Sequence, residues 1–199
     1  MPKVVDPQAR RAAVAEAVWR LILSRGWEGV SVRSVAKEAG LSAGSLRHYF
    51  ATQSDVLVFA MQLVIDRVRD RVQALELQPD PAVTVLRAIE ELLPLDAERR
   101  AEAEVWLAFT VRAQTEPTLR ALRDTSYELL QDLCQQLVEV LTRHDPRDDL
   151  DLRVEAERLY ALIDGLVVHC VIRPDRATPP LMRDVIARHL SELTAAREP

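Results

Sequence analysis

Apolar residues recur at helical spacing along almost the whole chain, and the prolines fall where a helix can begin or has ended. Val14, Ala17, Val18, Leu21 and Ile22 follow the i, i+3, i+4, i+7, i+8 pattern of one helix face, and Gly26 ends it. Asp6-Pro7 supplies a capping residue and a proline at the first helical position. A short helix is predicted from about Val32 to Ala39 with Ser31 as its cap, and Gly40 breaks it. Ser42 caps a second short helix running to about Phe50, and Thr52 with Asp55 forms a capping-box-like start for a long helix from Gln53 to Leu77. Further helices are expected at about 81–93, 96–114, 117–143, 151–172 and 179–195. Pro94, Pro117, Pro146, Pro174, Pro179 and Pro180 lie between or at the starts of these segments, where proline is tolerated. The chain contains only 5 glycines and no convincing strand, so the expected class is all-α. The architecture implied is a three-helix helix-turn-helix head, residues 1–52, and a larger helical bundle, residues 53–199.

At 199 residues the chain can bury a substantial core, and 48% hydrophobic with 29% charged residues excludes a disordered composition. No apolar run reaches the roughly 18–20 residues a membrane span needs. Residues Met1 to Arg11 lack the apolar core of a secretory signal. Cys134 and Cys170, the only thiols, imply no disulfide framework, and the expected compartment is the reducing cytoplasm. Net charge is −5, yet its distribution is uneven. The first fifty residues hold eight Lys/Arg against four acids, a net of +4 that leaves −9 on the remainder. A basic head on an acidic body fits a protein whose head alone meets phosphates.

The segment Val32 to Phe50 carries the chemistry. Two short helices that cross steeply need a small residue at the crossing, which Ala36 provides, and a positive-φ residue in the turn, which Gly40 provides. Val35, Ala39, Leu41, Leu46 and Tyr49 are spaced to face inward over the first helix. Ser42, Ala43, Gly44, Ser45, Arg47 and His48 remain for the outer side of the second helix. These small or hydrogen-bonding groups suit a helix whose N-terminal end enters a major groove. Phe50 reads as core, whereas Tyr49 can pack its ring and still expose its hydroxyl.

The run Ala36-x-x-Ala-Gly40-Leu-Ser42-x-Gly44-Ser-Leu-x-His48-Tyr49-Phe50, followed by Thr52-x-x-Asp55, resembles the signature of the TetR family of transcriptional regulators. The resemblance covers about residues 10–60. It implies a homodimer on double-stranded operator DNA, with Arg33 at a phosphate or base edge and Ser42, Ala43, Gly44 and Ser45 against bases or backbone. Arg47, His48 and Tyr49 would engage phosphates. Thr52 would offer its hydroxyl, and the helix after it its amides, to another phosphate. Three departures bear on specificity: Ala43 and Gln53 stand where lysine is common in relatives, and Arg47 where tyrosine is common. Operator sequence therefore does not transfer.

The acidic body shows none of the motifs of a catalytic site, and no metal or cofactor is implied. His48, His144, His169 and His189 do not fall at metal-ligand spacings. The family resemblance implies a small-molecule effector cavity, with Trp106, Phe109, Arg112, Tyr127, Cys134, Tyr160, Asp164, His169 and Cys170 as candidate walls. Arg112 shares a face with Val105 and Phe109 and wants a partner, either an acid such as Asp164 or an anionic group of the ligand. On the last helix Leu181, Met182, Val185, Ile186, His189, Leu190 and Leu193 form a wide apolar stripe. Leu159, Ile163, Leu166, Val167 and Val171 form another on the helix before it. Both exceed what a terminal surface helix needs, which points to a two-fold four-helix dimer interface. The function expected is a ligand-responsive repressor. The alternative is a helical ligand-binding or scaffold protein that does not bind DNA, against which the basic head and the reading helix argue.

Overall fold

The computed structural model describes residues 7–47, 49–143 and 150–194. Among them are nine α-helices and no strand. In chain order the helices are α1 (Pro7–Arg25), α2 (Val32–Glu38), α3 (Ala43–Arg47), α4 (Gln53–Gln73), α5 (Pro81–Glu90), α6 (Ala97–Ala113), α7 (Pro117–Thr142), α8 (Leu152–Ile172) and α9 (Pro179–Thr194). Asp6, the expected cap of α1, lies outside the described residues, as do His144 and Pro146. The long helix α4 ends four residues before Leu77, which stands 85% exposed and has no packing to hold it helical.

The chain divides into two compact units. One comprises the chain up to Asp66 together with Glu104–Arg120, and the other comprises Arg67–Ala103 together with the chain from Ala121 onward. In the first unit Val14, Ala17, Val18, Leu21 and Ile22 are buried, as the spacing of α1 requires. Trp27 closes this core from a 3-10 turn, Trp27–Gly29, which periodicity does not reveal because it is shorter than one helical repeat. Phe50 packs its ring on Phe59 at 5.1 Å between centroids, tilted by 58°, the offset geometry aromatic pairs favour. Val105, Phe109, Ala113 and Leu119 are buried in the same unit. There the hydroxyl of Ser54 donates to Glu116, and Arg112 donates from Nε to Glu116 at 2.7 Å. These two contacts, Ser54 first, hold the Glu116 carboxyl below its usual range.

The second unit is organised by α5, α8 and α9, with α9 packed on both α5 and α8. Leu159, Ile163, Leu166, Val167, Met182, Ile186, His189, Leu190 and Leu193 are each at most 8% exposed in a single chain. The two stripes expected to meet a second subunit are therefore absorbed within their own chain. Val85, Ala88 and Ile89 of α5 supply the apolar partner that the reading of α8 and α9 alone omits. Of the named stripe on α9, only Leu181 and Val185 keep appreciable exposure. His189, expected at the interface, sits in this core with burial pushing its pKa down and its Nε2 unbonded.

A charged cluster ties the end of α4 to the start of α6. Glu102, only 4% exposed, accepts from Arg71 Nη1 at 2.8 Å and Nη2 at 2.6 Å and from Arg67 Nε at 3.2 Å. Arg71 also reaches Glu91 at 2.9 Å, and Arg99 joins Glu91 at 3.2 Å and Asp96 at 2.9 Å. A buried carboxylate survives where several fixed donors replace its water, and the bidentate guanidinium of Arg71 does this.

Candidate nucleic-acid interface

The helix-turn-helix is built by three local devices. Ser31 caps α2: its Oγ accepts from the Ser34 amide at 3.1 Å, and Ser34 Oγ accepts in return from the Ser31 amide at 2.8 Å. This is a capping box with serine in place of the usual glutamate. Gly40, at φ +65°, then closes α2 with paired bonds, Leu41 N–H to Ala36 carbonyl at 2.9 Å and Gly40 N–H to Lys37 carbonyl at 3.3 Å. That pattern needs a left-handed residue after the helix, which glycine adopts without steric cost. Finally Ser42 caps α3 by accepting from the Ser45 amide at 3.0 Å.

These devices leave α3 anchored by one side chain. Leu46 is 0% exposed, while Ser42, Ala43, Gly44 and Arg47 are exposed and Ser45 is half-buried. Arg33 and Lys37 of α2 are exposed as well. Arg20 of α1 braces the back of α2 through Nε to Glu38 at 2.9 Å. The helix stops at Arg47, earlier than periodicity suggests, because the amides of Tyr49 and Phe50 both turn back to the Leu46 carbonyl, at 2.8 and 2.9 Å. That turn sends Phe50 into the core and leaves Tyr49 40% exposed, so Tyr49 is not the inward-facing residue its spacing implies. His48 lies outside the described residues.

The start of α4 adds a second set of donors. Thr52 Oγ1 accepts from the Asp55 amide at 3.1 Å while the Thr52 amide donates to Asp55 Oδ2 at 2.8 Å. The exposed Thr52 hydroxyl keeps its own proton to give away. Gln53 does not extend this set. Its Nε2 donates to the Val30 carbonyl at 2.6 Å, so the side chain serves the turn after the 3-10 segment. An exposed short helix with small residues at its N-terminal end, flanked by Arg33, Arg47 and the free hydroxyl donor of Thr52, has the composition of a surface that reads a groove and grips phosphates.

Two family models match the chain. Bacterial regulatory proteins, tetR family, covers residues 9–58, and BetI-type transcriptional repressor, C-terminal, covers residues 81–195. The regulator PksA of Bacillus subtilis is 41% identical over 195 residues, spanning 97% of this chain and 94% of its own. The chain belongs to the TetR family of transcriptional regulators. A BetI regulator of Agrobacterium fabrum is 34% identical over 175 residues, 87% of this chain and 82% of its own. Among solved structures, a transcriptional regulator from Rhodococcus aligns with TM-score 0.77 and 29% identity over 92% of this chain and 95% of its own. A regulator from Saccharomonospora viridis in complex with choline aligns with TM-score 0.74 and 26% identity, over 94% of this chain and 95% of its own.

The candidate effector residues of this TetR-family member separate by unit. Trp106, Phe109 and Arg112 belong to the first; Tyr127, Cys134, Tyr160, Asp164 and His169 belong to the second. Arg112 is exposed and its acid is Glu116, one helical turn on, not Asp164. His169 is also exposed. The structure does bring Tyr127, Cys134, Tyr160 and Asp164 together. The rings of Tyr127 and Tyr160 pack at 5.0 Å with a tilt of 50°. Burial first, and then the nearby Glu157, pushes the Asp164 carboxyl up to about 6. Burial and the Asp164 charge push the Cys134 thiol up to about 12 and raise the Tyr160 hydroxyl further. Among the described residues no group of three or more His, Cys, Asp or Glu could hold a metal ion, and no helix is long and apolar enough to cross a membrane.

Proposed function

We propose that this regulator is a cytoplasmic, ligand-responsive repressor that binds a palindromic operator as a homodimer, placing one α3 in each of two adjacent major grooves. Residues 1–52 read DNA, and residues 53–199 carry effector binding and dimerisation. The single observation that carries the DNA reading is α3 itself, held only by Leu46 and otherwise open to solvent at its N-terminal end. Arg33, Ser42, Ala43, Gly44, Ser45, Arg47, Tyr49 and Thr52 form its contact surface, and His48 belongs with them by sequence. The choline complex of the Saccharomonospora viridis relative supports a small-molecule effector, as does the BetI-type match over the body.

We assign the dimer face to the side of α8 opposite its buried stripe and to the exposed flank of the α9 stripe. Val154, Ala161, Gly165, Val168 and Ile172 share one face of α8, and Leu181 and Val185 continue it on α9. Val154 and Ile172, at 51% and 62% exposed, are apolar surface that a second copy would cover.

Fluorescence anisotropy on DNA flanking the encoding gene tests the reading. Operator affinity should fall steeply with salt, because phosphate contacts dominate it. Arg47→Ala and Tyr49→Phe should each weaken binding with helical content unchanged. If both variants bind as tightly as the parent, α3 is not the DNA-reading helix.

A further inference from the structure

The first turn of α4 uses its side chains to hold neighbouring segments. Gln53 and Ser54 are half-buried and follow directly on the exposed Thr52. Gln53 Nε2 donates at 2.6 Å to the carbonyl of Val30, 23 residues back and one residue before the cap of α2. Ser54 Oγ donates to Glu116 in the turn between α6 and α7, and that carboxylate also accepts from Arg112 Nε at 2.7 Å. Adjacent helical residues point in different directions, so the two bonds grip separate segments, all within the first compact unit. Neither bond is needed to form α4. Its start is closed by the reciprocal Thr52 and Asp55 bonds, and Val56, Leu57 and Ala60 bury its inner face. Both contacts are also electrically quiet. The carboxamide of Gln53 is neutral and can stay half-buried against a carbonyl, where an ammonium would turn out to water, and Arg112 balances the charge of Glu116. Meanwhile α3 is anchored by Leu46 alone, so its attitude depends on how α2 and the start of α4 are seated.

We infer that Gln53 and Ser54 are positioning residues for operator recognition: they clamp the first turn of α4 between the entry to α2 and the α6–α7 turn, and so set the angle at which α3 meets DNA. Phosphate contacts hold a protein on any duplex, whereas selecting one sequence needs hydrogen bonds to base edges, whose geometry is strict. A clamp of this kind therefore acts on operator binding alone. A reading helix tilted by the loss of either bond still reaches phosphates, but its side chains miss the base edges they are spaced to meet. The inference rests on the proposal that α3 is the reading helix and names the residues that aim it.

Anisotropy titrations of the full-length protein against two duplexes of equal length test it. One duplex carries the sequence that the parental protein enriches from a random pool, and the other is its scrambled counterpart. Gln53→Met keeps the length of the side chain and loses the donor. Ser54→Ala loses the hydroxyl, and Ser54→Thr keeps it. Gln53→Met and Ser54→Ala should each weaken binding to the enriched duplex about tenfold, the share of one well-placed base contact. Affinity for the scrambled duplex, and the salt dependence of both, should stay at parental values, and Ser54→Thr should retain most of the enriched-duplex affinity. Gln53→Lys should instead bind the scrambled duplex more tightly, with a salt slope steeper by about one, because its ammonium turns out to a phosphate. Binding is read well below the melting temperature of each variant, so that a loss of fold is not mistaken for a loss of aim. Parental affinity for the enriched duplex in either Gln53→Met or Ser54→Ala overturns the inference. An equal loss on both duplexes overturns it as well, since that marks a phosphate contact or a damaged head. A protein that enriches no sequence overturns the reading of α3 itself, whereas enrichment with unmoved variants removes only the aiming role.

Discussion

Gly40 is where one residue decides whether the DNA-reading head forms. At φ +65° it sits in a region that costs an ordinary side chain strain, although a Cβ there would meet nothing within 4 Å. The penalty for substitution is therefore conformational and not steric crowding. Gly40→Val should destabilise the head by about 1–3 kcal/mol and weaken operator binding, read by thermal unfolding and anisotropy on one preparation. Undiminished stability would mean that the turn tolerates a β-branched residue and that the paired bonds to Ala36 and Lys37 do not set it. Asp164 works in the opposite sense. Its folded-state pKa of about 6 lies above the roughly 4 of a free aspartate, so the native state holds the proton more tightly than the unfolded chain. Stability is then highest below about pH 4 and falls as pH rises to about 6, with Glu157 sharpening the penalty while Cys134 and Tyr160 stay neutral. Asp164→Asn should raise stability at pH 7.5 by about 1 kcal/mol, allowing for partial solvent screening, and the gain should vanish at pH 4. A variant no more stable than the parent at pH 7.5 would show that the carboxylate is matched in solution.

At the scale of elements, the helices of the head were legible because each is bounded by residues with a mechanical role. Ser31, Gly40, Ser42 and Thr52 each make the hydrogen bond or dihedral that their type foretells. Less legible was what no local pattern encodes. The 3-10 turn at Trp27 is too short for periodicity, and the Phe50–Phe59 contact joins two elements whose approach is tertiary. The stripe on α9 is the instructive case. Its apolar width is real, but width alone does not say what covers it, and α5 does so from a hundred residues upstream. A charge on that stripe therefore falls in a core. Ile186→Glu should cost about 3–5 kcal/mol and yield a poorly folded body, detected as lost helicity and a lower urea midpoint. A well-folded monomer instead would return the stripe to the subunit interface.

The dimer proposed above would have to hold two reading helices at the spacing of one DNA turn, and the exposed face of α8 is where this can be tested without disturbing the monomer. One short helix in a groove binds modestly, whereas two heads fixed about 34–36 Å apart combine their binding energies at little further orientational cost. Operator affinity is then a property of the dimer. On α8, Ala161 and Gly165 stand four residues apart between Val154 and Ile172, small residues that let a second helix approach closely. A Cβ on Gly165 meets nothing within 4 Å in the single chain. Replacing this helical glycine should thus strengthen the monomer by about 0.5–1 kcal/mol through the helix preference of the new residue. The same side chain would stand between two closely packed helices in a dimer built on this face. Gly165→Gln should therefore raise the unfolding temperature at low concentration, shift sedimentation towards the monomer, and remove most operator affinity although α3 is untouched. Stability and affinity moving in opposite directions is a signature that a misfolded variant cannot imitate. A Gly165→Gln protein that sediments as a tight dimer would exclude this face as the interface, and a monomer that binds operator at parental strength would end the bivalent mechanism.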